Sequence, residues 1–131
     1  MRRKAIALVV LLSLVLAACG GGGGSAEPEP TQATSAAAGD PAKGEELFQG
    51  SCVACHGADA TGVEGLGKDL TNNQFIQGLS DQELADFIKT GRPTSDPANT
   101  TGVDMPPKGG NPALSDQDLL DIASYLRTLG N

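Results

Sequence analysis

Residues 52–57 have the sequence Cys-Val-Ala-Cys-His-Gly. It contains two of the three cysteines and the only histidine of the 131-residue chain. On a helical turn, residues i, i+3 and i+4 share one face. Cys52, Cys55 and His56 are therefore expected to project together, with two thiols beside one imidazole.

A Cys-x-x-Cys-His motif is typical of covalent haem attachment. The two thiols can bond the vinyl groups of one haem while the imidazole reaches its iron. A thioredoxin-like thiol pair needs a βαβ context, and no strand pattern is visible in the sequence. A structural zinc site needs four ligands, whereas this motif offers two thiolates and one imidazole. The motif therefore predicts one haem c, and a haem-free dithiol or zinc module is the least favoured alternative.

The sixth ligand of the iron is predicted to be Met105. With His56 used, the soft candidate is a thioether, and Met105 is the only methionine besides Met1. Pro106 biases Met105 toward an extended conformation, and Pro107 stiffens the chain after it. Such a loop suits a sulfur held at one place, although a methionine that merely packs in a loop is the alternative.

The first 39 residues are predicted to lie outside the fold. Residues 1–4 are basic, and the apolar run of residues 5–18 is shorter than the roughly 20 residues of a membrane-spanning helix. This pattern fits a secretory signal. The run ends in Leu-Ala-Ala-Cys at residues 16–19, which resembles the lipobox of bacterial lipoproteins, in which the cysteine becomes lipidated. The alternative is an ordinary signal with Cys19 as a stray thiol.

The chain is therefore predicted to have three parts. Residues 1–18 are a removed signal, residues 19–39 are a lipidated cysteine with a Gly/Ala/Pro-rich tether, and residues 40–131 are the folded domain. The tether contains only alanine as an apolar type and is predicted to be flexible. A coil of that length spans roughly 25 Å. We therefore expect an exported domain, lipid-anchored to the membrane in the periplasm or on the outer face of the cell.

The charge excludes one class of partner. Without residues 1–18 the chain has six basic and sixteen acidic residues, a net charge of −10. Nucleic acid binding requires clustered positive charge and is excluded. An acidic surface favours a protein partner with a basic docking patch, with an attraction that weakens as salt rises.

Three helices are predicted in the domain. The first has Asp40 as N-cap and Pro41 at its first position, and runs to about Gln49. The other two begin with capping boxes, in which a serine is followed three residues later by an acidic residue: Ser80 with Glu83, and Ser115 with Asp118. Residues 57–79 and 92–114 form two long irregular stretches, which are unusual in a compact domain unless functional. The domain also has no Trp, one Tyr and three Phe, so wrapping an apolar cofactor would explain both features.

The sequence resembles the class I, single-haem c-type cytochromes over roughly residues 41–129. The likeness rests on the haem motif, on Val-Asp-Met-Pro-Pro at 103–107 and on Ala-Ser-Tyr-Leu-Arg-Thr-Leu at 123–129. The resemblance implies an all-α, cytochrome c-like fold of three or more helices, wrapped with long loops around one haem. It also implies that the first and last helices cross at Gly44, Phe48 and Tyr125.

One departure from the family concerns the histidine. The family often has Gly-Pro after the motif, with the proline carbonyl accepting the imidazole Nδ1–H, where this chain has Gly67-Lys68. A backbone carbonyl at Lys68 can do the same, but which carbonyl orients His56 stays open at this point. Family-like polar positions that could hydrogen-bond a haem propionate are Thr71, Asn72, Asn73 and Arg92.

The sequence as a whole indicates a single-electron carrier, not an enzyme, that serves redox proteins at a membrane outside the cytoplasm and has no small-molecule substrate. Electrons are expected to cross at the haem edge beside Cys52 and Cys55. The main alternative is a haem peroxidase or gas sensor with an open iron position.

A denaturing mass spectrum of the mature domain tests the haem prediction. Because thioether bonds are covalent, the protein should retain the mass of one haem after unfolding. A domain without that added mass would contradict the prediction and favour the dithiol or zinc alternative.

Overall fold

The computed structural model describes residues 38–130 and is helical. The α-helices are α1 (Pro41–Ser51), α2 (Val53–His56), α3 (Gln74–Gln77), α4 (Asp81–Thr90) and α5 (Asp116–Thr128), and Pro107–Gly110 form a 3₁₀ turn. Within residues 38–130 there is no strand, only two isolated antiparallel bridges. The all-α fold is thereby confirmed. The predicted signal, Cys19 and the tether up to residue 37 lie outside the described residues.

The three predicted helix starts are confirmed by their caps. The Asp40 carboxylate accepts the backbone N–H groups of Ala42 and Lys43 at 2.9 and 3.3 Å. The capping boxes at Ser80 and Ser115 are both present, with each serine and its acidic partner bonding reciprocally. These side chains satisfy amide groups that a helix leaves unpaired at its first turn.

Sequence reasoning missed α3, the 3₁₀ turn and the end of α1. α1 continues to Ser51, two residues beyond the predicted end, and α3 lies inside a stretch predicted to be irregular. Elements of four residues are too short for hydrophobic periodicity to reveal. A local signal for α3 did exist, since Asn73 caps it by accepting the amides of Phe75 and Ile76.

The core lies between the three longer helices. α5 packs against both α1 and α4. The largest fully buried side chains come from all three: Phe48, Leu84, Leu119 and Ile122. No helix among residues 38–130 is long and apolar enough to span a membrane.

The crossing of α1 and α5 brings two backbones together. A Cβ added at Gly44 would lie 1.9 Å from the Asp121 carbonyl oxygen, so only glycine fits. One turn further, the rings of Phe48 and Tyr125 pack with centroids 5.4 Å apart at an interplanar angle of 52°. The three residues expected at a helix crossing thus all lie there.

Two polar side chains of α5 fasten other segments to it. The buried Asp121 carboxylate accepts the Asp40 N–H and the Gln117 side-chain amide, each at 2.9 Å. Arg127 donates to the carbonyl oxygens of Ile76 and Leu79.

Close contacts with α5 begin already at Gly39, where a Cβ would meet the Leu120 carbonyl oxygen at 2.2 Å.

Replacing Gly44 by alanine should destabilise the protein, because the added methyl group forces α1 and α5 apart. Overpacking of this kind costs about 1–3 kcal/mol or more. Urea unfolding measures the change. Gly50→Ala is the matched control in the same helix, since a Cβ there meets nothing within 4 Å, and it should slightly raise stability through helix propensity. Equal effects of the two variants would refute a tight crossing.

Candidate functional site

A cavity of about 480 Å³ opens between the helices and the long loops. The three phenylalanines of the chain, Phe48, Phe75 and Phe87, all line it, together with Ile88, Ile122 and Leu126. Its volume and apolar lining are those of a site for a cofactor-sized molecule. The sequence signal for a cofactor was the scarcity of aromatic residues, because a domain with so few large side chains needs something else to fill its core.

The thiol and imidazole side chains of the motif meet at one wall of this cavity. Cys52 ends α1 and caps α2, and Cys52, Cys55 and His56 all line the cavity. The Cys52 carbonyl oxygen accepts the N–H groups of Cys55 and His56 at 3.2 and 3.0 Å. The helical turn predicted from the spacing is therefore present, and its two thiols and its imidazole line the same apolar cavity.

The His56 ring is oriented by a backbone carbonyl. Its Nδ1 lies 2.8 Å from the Lys68 carbonyl oxygen. Because a carbonyl can only accept, Nδ1 carries a proton, and in the neutral ring Nε2 then keeps a lone pair for a metal ion. Such a bond fixes the tautomer and raises the basicity of a metal-binding imidazole. The carbonyl left open by the sequence is thus that of Lys68, at the place where the family often has proline.

The loop that delivers this carbonyl is pinned to α2. The N–H groups of Gly62 and Val63 donate to the carbonyl oxygens of His56 and Cys55 at 2.8 and 3.0 Å. At Gly67 a Cβ would lie 2.2 Å from the Cys55 carbonyl oxygen, so a side chain is excluded there. These contacts hold the loop close enough for the His56 bond.

The Cys52 thiol is unlike the nucleophile of a dithiol redox enzyme. Burial, with the neighbouring Cys55 adding to it, raises the pKa of the Cys52 thiol to about 11. A nucleophilic thiol instead has a lowered pKa, because the thiolate is the reactive form. Among residues 38–130, no cluster of three or more His, Cys, Asp or Glu side chains is arranged to hold a metal ion by itself.

Met105 reaches the same cavity from the second long loop. Its backbone forms an antiparallel bridge with Arg92, with each N–H donating to the other carbonyl at 2.9 Å. Gly91 makes this possible, since it has a φ of +75° and a Cβ there would lie 2.3 Å from the Met105 carbonyl oxygen. The structure thus brings together the four side chains that the sequence singled out, although Met105 lies 49 positions after His56.

The predicted propionate contacts divide into two groups. Arg92 and Asn73 line the cavity, whereas Thr71 and Asn72 are not among its lining residues. Thr71 donates its N–H and hydroxyl to the Asp69 carboxylate, both at 2.7 Å. Asn72 has a φ of +49° and donates its N–H to the Leu129 carbonyl. A propionate contact therefore stays a prediction for all four, and Arg92 and Asn73 are the better placed.

Arg92 is held in position by aromatic rings, which sequence reasoning missed. Its guanidinium carbon lies 4.7 Å from the ring centroids of both Phe75 and Phe87, a distance typical of cation–π contacts. Its Nε also pairs with the Asp96 carboxylate at 3.1 Å. These contacts hold the Arg92 side chain at the cavity wall.

The arrangement fits one haem c. Two thiols, an imidazole with a free Nε2 and a thioether face one apolar cavity, and these are the groups that attach a c-type haem and ligate its iron. The cytochrome c family profile matches residues 41–130. The chain belongs to the cytochrome c family. Membership implies a covalently bound haem c and a role in electron transport.

Several curated cytochromes are similar to the chain. Cytochrome c-554(548) of Halomonas halodenitrificans is 38% identical over 96 residues, which cover 67% of this chain and 94% of that protein. The CcoP subunit of the cbb3-type cytochrome c oxidase of Rubrivivax gelatinosus is 32% identical over 102 residues, 76% of this chain and 30% of that subunit. Cytochrome c-551 of Bacillus subtilis is 40% identical over 65 residues, 49% of this chain and 54% of that protein. The chain thus spans less than a third of the CcoP subunits it matches. No solved structure matches it significantly.

Gly91→Ala should loosen the Met105 loop, because the added Cβ collides with the Met105 carbonyl. We expect faster hydrogen exchange at the Arg92 and Met105 amides, measured by NMR on the reduced haem protein. Gly65→Ala is the matched control, since Gly65 has a similar φ of +74° but nothing within 4 Å of an added Cβ. Both variants carry the strain of a left-handed alanine, so only a difference between them reports on the collision. Equal exchange in both would argue against it.

Proposed function

We propose that the protein is a single-electron carrier whose haem is bonded to Cys52 and Cys55 and whose iron is ligated by His56 and Met105. The observation that carries the proposal is the convergence of the four side chains on one apolar cavity, with the His56 Nδ1 engaged by Lys68 and its Nε2 free. The motif and the family membership support it independently.

Haem c supplies a one-electron ferric/ferrous couple. The residues of the chain set which state is favoured. A thioether from Met105 favours the ferrous state. The apolar lining acts in the same direction, because burying the additional charge of the ferric state is costly. The Lys68 carbonyl acts in the opposite direction by making His56 a more basic ligand.

The surroundings of the cavity favour electron transfer over peroxidase chemistry or gas sensing. A peroxidase needs an open iron position and a distal acid or base. His56 is the only histidine of the chain. Asp104 is the one carboxyl residue among the residues lining the cavity, and its Oδ1 is engaged by the Thr94 N–H. With Met105 as ligand, no open iron position is provided.

The surface charge supports a protein partner. Among the described residues, Lys43, Lys89, Arg92 and Arg127 each pair with a carboxylate of the same chain, so little positive charge is left to balance the remaining acids. We propose redox proteins with a basic docking patch as donor and acceptor. A lipid at Cys19 and a tether over residues 20–39 would hold the domain at a membrane outside the cytoplasm, within reach of both.

Visible spectroscopy tests the ligation, with protein made in cells that attach haem. The wild type should give sharp c-type bands when reduced with ascorbate and a weak far-red sulfur-to-iron band when oxidised. Met105→Ala should keep the c-type bands, lose the far-red band and bind carbon monoxide readily in the ferrous state. Wild-type protein that binds carbon monoxide as fast as the variant would refute the closed site and favour the sensor or peroxidase alternative.

A further inference from the structure

The loop that carries Met105 has little regular structure. Residues 93–104, between the two partners of the Arg92–Met105 bridge, contain no helix or strand. Two backbone hydrogen bonds close the base of this loop, and such a small ladder opens readily unless other contacts support it. The position of the Met105 sulfur therefore depends on what holds the loop together.

The Asn99 side chain is the main polar contact inside this loop. Its Nδ2 donates to the carbonyl oxygens of Val103 at 2.8 Å and Arg92 at 3.4 Å. Its Oδ1 accepts the N–H groups of Thr101 and Gly102 at 3.2 and 3.1 Å. Both ends of one amide are thus engaged. The groups they bind lie on both arms of the loop, the first arm being the segment that follows Arg92 and the second the segment that leads to Met105.

The bond to Arg92 links Asn99 directly to the pairing of Met105. The Arg92 carbonyl oxygen that accepts from Asn99 also accepts the Met105 N–H at 2.9 Å. Asn99 is only partly exposed and lines the same cavity as Met105. The bond to Arg92 is partly buried, and a buried polar group is costly to leave without a partner. Loss of the amide would therefore favour an open base at the point where Met105 is held.

The other polar side chains of the loop span less of it. Asp96 binds the Ala98 N–H and the Arg92 side chain, all on the first arm. Asp104 joins the two arms by one bond, to the Thr94 N–H. Asn99 alone among them combines a contact to the Arg92 carbonyl with contacts to the turn and to the second arm.

From these contacts we propose that Asn99 is a positioning residue for Met105. Its Nδ2 donors hold the two arms together, and this keeps the thioether directed into the cavity as an iron ligand. The inference rests on the proposed function, because it assumes that Met105 ligates the haem iron. It adds a residue whose role is to keep that ligand in place.

Two substitutions separate the donor from the acceptor function of the amide. Asn99→Ala removes both. Asn99→Asp keeps an oxygen for the Thr101 and Gly102 amides but turns a second oxygen toward two carbonyl oxygens, which repel it. The readouts are the far-red band of the oxidised protein and the rate at which the ferrous protein binds carbon monoxide. The wild type is measured first, and absence of its far-red band would refute the ligation by Met105 and this inference with it.

In both variants we expect c-type bands on reduction, a weakened far-red band and carbon monoxide binding roughly tenfold faster than in the wild type, since two donors are lost. In a Met105→Ala background, Asn99→Ala should add nothing to the rate, because the ligand it positions is gone. A purely structural role would instead give the same added effect in both backgrounds.

Ser115→Ala is the stability control. It removes the N-cap of α5, which lowers global stability without contacting the loop, and should leave both readouts unchanged. The proposal is overturned if Asn99→Asp retains the wild-type band and rate, or if Ser115→Ala changes them as much as Asn99→Ala does. Should Asn99→Ala fail to fold, Asn99→Asp decides alone, since it preserves the turn contacts.

Discussion

The close approach of α1 and α5 at Gly44 fixes how the helices that line the cavity pack against each other. It lets the α1 backbone lie against the Asp121 carbonyl and brings Phe48 onto Tyr125. Because α1 leads directly into α2, the crossing also determines where the thiols and His56 lie relative to the apolar wall that α5 contributes. α4 packs on the same helix and ends at Gly91, which begins the route to Met105.

The two iron-ligand candidates are held by different means. His56 belongs to a helical turn, and its ring is oriented by one carbonyl from a loop pinned back onto α2. Met105 belongs to a loop, and its backbone is held by one bridge and by side-chain amides. At both places a glycine removes the Cβ that would block the approach, Gly67 against Cys55 and Gly91 against Met105.

Sequence patterns were informative wherever the interaction is local. The motif spacing, the N-caps at Asp40, Ser80 and Ser115 and the φ-restricting prolines after Met105 act within a few residues, so they can be seen in the sequence and the capped helix starts agree with the structure. The elements that were missed, α3 and the 3₁₀ turn, are too short for periodicity. The expectation for Thr71 and Asn72 came from likeness alone, and neither residue lines the cavity. The Thr71 hydroxyl donates to Asp69, and the Asn72 backbone N–H donates to the Leu129 carbonyl.

The chemistry could be predicted from the residues alone: which thiols, imidazole and thioether are available, and that the chain carries haem c. Which groups support these side chains became visible only in the folded structure. The Lys68 carbonyl on His56, the Arg92 bridge to Met105, the aromatic rings around Arg92 and the Asn99 amide join residues whose separation fits no repeat. Backbone carbonyl groups are the same in every residue, so the sequence does not show which of them will accept a given hydrogen bond. Their roles emerge only when the packing of α1, α4 and α5 brings the loops to one cavity.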